Sequence, residues 1–298
     1  MDIEGIIFDP IAALISKPVC LLPMLLFVFV LSAIIWIGLF ASLPSSSITF
    51  GLHTVPASGV STLSIVIVAI LALFLSPLIS GIYVSLAMQL KTGNKQLSLG
   101  AAVEKAKQKY LSLLGASLIA IGIAILIFGV LYFLLLAPSM FNLNLGIAGL
   151  LIALVLILLI IVAWVLVIIR FFEIYPAVLI EDKRAFAAVK RSMEIGKQHP
   201  WSVLGTVLLL AVIIFVITII LELVIGAFSI GLALSGAVLA DIVITVILIT
   251  IVGGVIDAWA AMIPGTFYYS YVAKQPAAPA PPPAKTQQPP AAPTPQKK

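Results

Sequence analysis

The chain has 298 residues, 63% of them hydrophobic and only 9% charged, with a net charge of +5. Soluble domains carry about a quarter charged residues, so this composition excludes a water-soluble globular protein. A single cysteine, Cys20, excludes an internal disulfide and a thiolate metal cluster.

The chain opens on a short interfacial helix, expected at about 3–16, whose FDPIAALISKP run at 8–18 leads directly into the first apolar stretch. Six stretches approach the roughly 20 apolar residues that cross ~30 Å of hydrocarbon at ~1.5 Å per residue. They are placed at about 18–42, 59–89, 111–137, 146–170, 201–227 and 238–265. In lipid such stretches must be helical, because a helix satisfies its own backbone groups. The leader before the first span holds Asp2, Glu4 and Asp9 against Lys17, and the apolar run beyond Pro18 exceeds the h-region of a signal peptide. A retained span is therefore expected.

Between the second and third spans, 97–115 reads LSLGAAVEKAKQKYLSLLG, and before the fifth span 186–205 reads FAAVKRSMEIGKQHPWSVLG. The Ala-Ala-Val elements lie 86 residues apart and the closing glycines 90 apart. Each is a basic interfacial helix, about 98–110 and 182–197, that runs into a span; with the weaker copy at the N-terminus they suggest a threefold repeat of interfacial helix plus hairpin. In the first copy Leu99, Val103, Ala106, Tyr110 and Leu113 form the apolar face, and in the second Phe186, Val189 and Met193 do. Glu181 and Asp182 suit the positive N-terminal end of the second helix, and Lys197 its C-terminal end. Lys105, Lys107, Lys109, Lys183, Arg184, Lys190 and Arg191 are candidate contacts to anionic lipid headgroups. Topological anchoring is the plainer account of the same charges.

All 16 Lys and Arg residues fall on one side of these spans. The connections near 43–58, 138–145 and 228–237 hold none, so the positive-inside rule puts both termini in the cytoplasm of a multi-pass cell-membrane protein. Tyr83, Tyr110, Tyr175, Trp201, Tyr268, Tyr269 and Tyr271 fall at or near the same inner interface. The isoelectric point of about 9.3 needs no nucleic acid to explain it. After the last span, proline at the density of 273–298 cannot support helix or sheet, and this segment is expected to be a disordered cytoplasmic tail. Pro281, Pro282, Pro283 and Lys285 are its one handle for a polyproline-binding protein partner.

Acidic groups inside spans are the candidates for function, because an intramembrane charge is stable only when paired, protonated or hydrated. Glu222 is expected at the outer interface, and Asp241 there or as a cap. Asp257, ~24 Å of helical rise beyond Asp241, belongs in the inner half of the bilayer. Arg170 lies at similar depth with Glu173 three residues on, so an Arg170–Glu173–Asp257 cluster tying the fourth span to the sixth is predicted. A register-fixing pin and a proton or ion relay are the two readings of it. Pro77, flanked by Ser76 and Ser80, and Gly253–Gly254 mark either close packing or a substrate passage.

Phosphate-loop, nucleophile-elbow and zinc-protease motifs do not occur, and His53 and His199 fall on opposite sides of the membrane. No enzyme activity, cofactor or metal is expected. The LSLGAAVEKA run leading into the third span, YPAVLIED at 175–182, the 186–201 stretch, and Pro264 followed by Tyr268 and Tyr269 resemble an uncharacterised six-helix membrane family. That family is related to the membrane domain of glycerophosphoryl diester phosphodiesterases, and the resemblance covers about 1–272. It implies the fold without the hydrolase, because catalysis in those enzymes belongs to an appended soluble barrel for which this chain has no room. The expectation is an all-α, polytopic membrane scaffold or accessory component. The alternative is a transporter or lipid- and amphiphile-handling protein with a cavity near Pro77, Arg170 and Asp257.

Overall fold

A computed structural model describes residues 3–42, 62–92, 97–140, 146–234 and 238–272. The tail expected over 273–298, Lys95, the first residues of the second span, and most of the three uncharged connections lie outside the described residues, as does the side chain of Asp241. Regular structure among the described residues is entirely helical, and six helices are long and apolar enough to cross a membrane. The chain is a polytopic all-α membrane protein.

In chain order, α1 (Ile3–Ser16) is joined by a 3₁₀ turn at Pro18–Leu21 to α2 (Leu22–Ser42), and α3 (Thr62–Lys91) follows. A short α4 (Leu99–Gln108) precedes α5 (Tyr110–Met140) and α6 (Gly146–Phe171). Two further short helices, α7 (Ile174–Leu179) and α8 (Ala185–Gln198), lead into α9 (Pro200–Leu234) and α10 (Val238–Tyr271). The order of short helix and hairpin thus occurs three times, headed by α1, α4 and α8. Offset by 86 residues, Ala102 and Ala106 of α4 correspond to Ala188 and Ser192 of α8, and all four are fully buried. Small residues at these two positions let both short helices lie close against the spans. Within the stretch that follows the fourth span, Ile174–Leu179 forms α7, packed against α3, α5, α8 and α10.

Helices α2, α3 and α10 form the tightest part of the bundle. The close approach of α10 to α3 requires glycine: a Cβ on Gly265 would stand 2.8 Å from the Ala87 Cβ. In lipid such close packing, with interhelical hydrogen bonds, substitutes for a hydrophobic driving force between helices. Several of these hydrogen bonds fall close to helix irregularities. Pro10, inside α1, cannot donate to the Ile6 carbonyl; the Thr266 hydroxyl of α10 lies 3.0 Å from that carbonyl and shares its one proton between it and the Ile263 carbonyl of its own helix at 2.9 Å. One residue on, the Trp259 indole donates to the Ile7 carbonyl at 2.6 Å. At the irregular entrance to α2, Tyr83 donates to the Cys20 carbonyl at 2.9 Å and accepts from the Met24 N–H at 3.3 Å. Beside Pro77 in α3, Tyr110 donates to the Phe74 carbonyl at 3.0 Å.

The first short helix, α1, packs along α10 with Ile6 and Ile7 completely buried and Leu14 nearly so. The two carbonyls near Pro10 hold it there. Around this core α5, α6 and α9 present apolar side chains outward along their lengths, among them Leu126, Leu154 and Leu223. That surface suits hydrocarbon rather than water.

Candidate functional site

Three of the described connections gather at one end of the bundle, where α6, α7 and α8 make a corner. Helix α6 stops at Phe171, leaving carbonyls with no partner in the helix. Ser192 and Gly196, one turn apart on α8, receive that end. The Ser192 hydroxyl donates to the Arg170 carbonyl at 2.8 Å and accepts the Glu173 N–H at 3.1 Å. A Cβ on Gly196 would fall 2.4 Å from the Ile169 carbonyl oxygen, so only glycine fits there. The Arg170 guanidinium donates to the Met193 carbonyl at 3.1 Å.

The predicted Arg170–Glu173–Asp257 cluster does not form. The three-residue spacing of Arg170 and Glu173 brings side chains together only within a continuous helix, and the chain turns at Phe172 and Glu173 before α7 begins. Arg170 is thereby directed to α8. Glu173 is 1% exposed, and neither of its carboxylate oxygens has a hydrogen-bond partner among the described residues. Asp257 is exposed on α10 and makes no ion pair with either. Pro77 is buried in α3. Glu222 is exposed on α9.

Just beyond α7 the chain reverses through Glu181 and Asp182. The Arg191 Nε donates to both Glu181 oxygens, at 2.8 and 3.1 Å, and a second guanidinium nitrogen lies 3.7 Å from Glu194. Tyr268 of α10 also donates to Glu181, so the turn, α8 and the last span share one carboxylate. Asp182 has a φ of 57°, in the left-handed region that Asp tolerates better than most residues. It pairs with Lys109 at the end of α4, whose hydrogen bond and charge hold the Asp182 carboxyl below the usual carboxylate range. Glu181 and Asp182 are thus spent on these contacts. Helix α8 starts only at Ala185, three residues later than expected, with Arg184 at its N-cap.

The other connections are stitched in the same manner. Lys91 of α3 pairs with Asp9 of α1 at 2.7 Å and donates to the Gly5 carbonyl at 3.0 Å. Gln89 accepts from the Ser98 N–H at 2.7 Å and donates back to the Ser98 carbonyl at 3.2 Å, fixing the start of α4, while Lys17 donates to the Leu97 carbonyl at 3.3 Å.

The seven candidate lipid contacts divide into two groups. Lys105, Lys109 and Arg191 are turned into the protein: Lys105 donates to the Met88 sulfur, and the other two are in ion pairs. Burial pushes the Lys105 ammonium below the ordinary lysine range, with the Asp182 charge opposing that shift. Lys105 and Arg191 are equivalent under the 86-residue offset, so both repeats turn a cation inward at the same place. Lys107, Lys183, Arg184 and Lys190 are exposed. Phe186, expected in the apolar stripe with Val189 and Met193, is 73% exposed, whereas Val189 is buried and Met193 packs beside it.

Sequence reasoning missed the roles of Ser192, Gly196, Tyr83, Trp259 and Thr266. For Thr266 a signal existed: proline within a helix leaves the carbonyl four residues earlier in need of a donor, here Ile6. Nothing in the sequence says which of the distant hydroxyls supplies it.

No curated protein and no solved structure matches the chain at a significant level. The comparisons lend no support to a relationship with the membrane domain of glycerophosphoryl diester phosphodiesterases. A family described as "Domain of unknown function (DUF7847)" matches residues 1–273, and the chain belongs to that family.

Proposed function

We propose that the chain is a non-enzymatic scaffold or accessory component of the cell membrane, with both termini and its charged end in the cytoplasm. The observation that carries the reading is the bracing of that end. Asp9–Lys91 ties α1 to the span α3, Lys109–Asp182 and Glu181–Arg191 tie α4 and α8 to the turn between α7 and α8, and Tyr268 joins the span α10 to that turn. A platform of this kind suits holding a partner in fixed orientation better than it suits the reorganisation that alternating access requires.

The test joins topology to partnership. With Cys20 replaced by serine, a cysteine at Lys190 is expected to react with an impermeant maleimide only in inverted vesicles. Proteins that co-purify with the full chain from native membranes are expected to be lost on deleting 273–298. Labelling from outside, or the same set of proteins with and without the tail, counts against the proposal.

One observation favours a second reading, a transporter or amphiphile-handling protein. Asp257 lies inside a candidate span, is exposed, and has Gly253 one turn away, where a Cβ would meet nothing within 4 Å. Substrate flux or amphiphile binding abolished by Asp257→Asn in a stably folded variant would favour it over the scaffold.

A further inference from the structure

We propose that the outward strip of α8 and the turn before it, formed by Lys183, Arg184, Phe186, Lys190 and Lys197, is a docking surface for the phosphate headgroups of anionic phospholipids. This deepens the scaffold reading by naming what the charged end rests on. The strip is defined by helical phase. Lys190 lies four residues after Phe186 and Lys197 seven further, so the three project from one side of α8, and Lys183 and Arg184 are exposed in the turn that precedes it. Ala188, Val189, Ser192, Ile195 and Gly196 are buried on the other side.

Among the described residues Lys183, Arg184, Lys190 and Lys197 form no ion pair. Asp182 and Glu181 are engaged by Lys109 and Arg191, and Glu194, four residues after Lys190, lies 3.7 Å from Arg191. The inward-facing Lys105, Lys109 and Arg191 therefore serve the fold, leaving Lys183, Arg184, Lys190 and Lys197 to present positive charge outward.

Two apolar features decide for lipid over a soluble anion or an acidic protein. Phe186, 73% exposed, stands between the lysines, as an aromatic ring does at the boundary of headgroups and acyl chains. The strip also leads through Pro200 into α9, which begins with Trp201, 82% exposed, and continues with outward Leu208, Val212 and Phe215. A phosphate held by the lysines would thus have its acyl chains against apolar helix surface. Lysines snorkelling beside such a surface are a common interfacial arrangement.

The test uses the purified full chain in nanodiscs of phosphatidylcholine with spin-labelled phosphatidylglycerol or spin-labelled phosphatidylcholine as reporter. The motionally restricted fraction of each reporter gives their relative association. The wild type is expected to prefer phosphatidylglycerol, and the quadruple variant K183Q/R184Q/K190Q/K197Q to lose about threefold or more of that preference while keeping its melting temperature. The control K285Q/K297Q/K298Q, which neutralises three tail lysines, is expected to leave the preference unchanged. An unchanged preference in the quadruple variant, or an equal loss in the control, overturns the proposal. Displacement of the lipid reporter by millimolar glycerol phosphate would also overturn it, by assigning the strip to a soluble anion. Absence of a co-purifying partner would sink the scaffold reading without altering these ratios.

Discussion

Glu173 is a carboxyl group enclosed by protein, with both oxygens unpartnered among the described residues. Enclosing such a group without a donor costs free energy that an apolar side chain of similar volume does not. Glu173→Met is therefore expected to raise the thermal midpoint in detergent, equivalent to about 1 kcal/mol or more of added stability. A lowered midpoint would show that the carboxyl holds something the fold needs. The neighbouring contacts predict the opposite sign. Ser192→Ala strips the Arg170 carbonyl and the Glu173 N–H of their shared partner and is expected to cost about 1–3 kcal/mol, read from the same melting curves. At Asp182 the prediction concerns pH. A carboxyl whose folded-state pKa lies below its unfolded value stabilises the fold above the ordinary Asp range, near ~3.9, and loses that contribution as pH falls through the lower folded value. Asp182→Asn should accordingly melt lower than wild type at neutral pH, and the difference should shrink in acid. An unchanging difference between about pH 7 and about pH 3 would mean that the Lys109 pairing is not its source.

Among elements, α1 and α10 give the clearest case of one helix completing another. Thr266 serves the Ile6 carbonyl in place of the N–H that Pro10 lacks. Thr266→Val alone is expected to destabilise by about 1–3 kcal/mol, since it leaves a buried carbonyl without its donor. In a Pro10→Ala background the backbone N–H restored at that position can reach the Ile6 carbonyl, and the same substitution should cost less. Equal costs in the two backgrounds would show that the proline-made vacancy is not what Thr266 fills. The corner of α6, α7 and α8 shows why element-level detail escapes sequence reading. Apolar length marks where a span runs, but the stop at Phe171 is made by Ser192 and Gly196, which come some two dozen residues later. Arg170 and Glu173 at helical spacing suggest a pair, and the turn between them parts their side chains. The depth of Asp257 follows from counting along the span, but its side around the helix does not, since α10 is apolar in almost every direction.

For the whole molecule, the six-span helical fold was legible because composition leaves lipid no other option: apolar runs of this length must be helices. The clustering of charge in particular connections was legible too, because charged residues are rare enough in this chain to be placed one by one. What the sequence could not separate was which of those charges hold the protein together and which face outward, since Lys105 and Lys190 differ only in what lies across from them after folding. The described residues divide the molecule accordingly. At the charged end, side-chain hydrogen bonds, ion pairs and small-residue contacts bind the helices; over much of α5, α6 and α9 the apolar surface is turned to lipid.

The bond from Trp259 to Ile7 closes a loop of 252 residues. A helix made early thus carries carbonyls whose side-chain donors are synthesised only after the spans between them. Chains that stop short of α10 would lack the side-chain donors to the Ile6 and Ile7 carbonyls. In this protein the meeting of α1 with α10 is a record that the spans between them have been made.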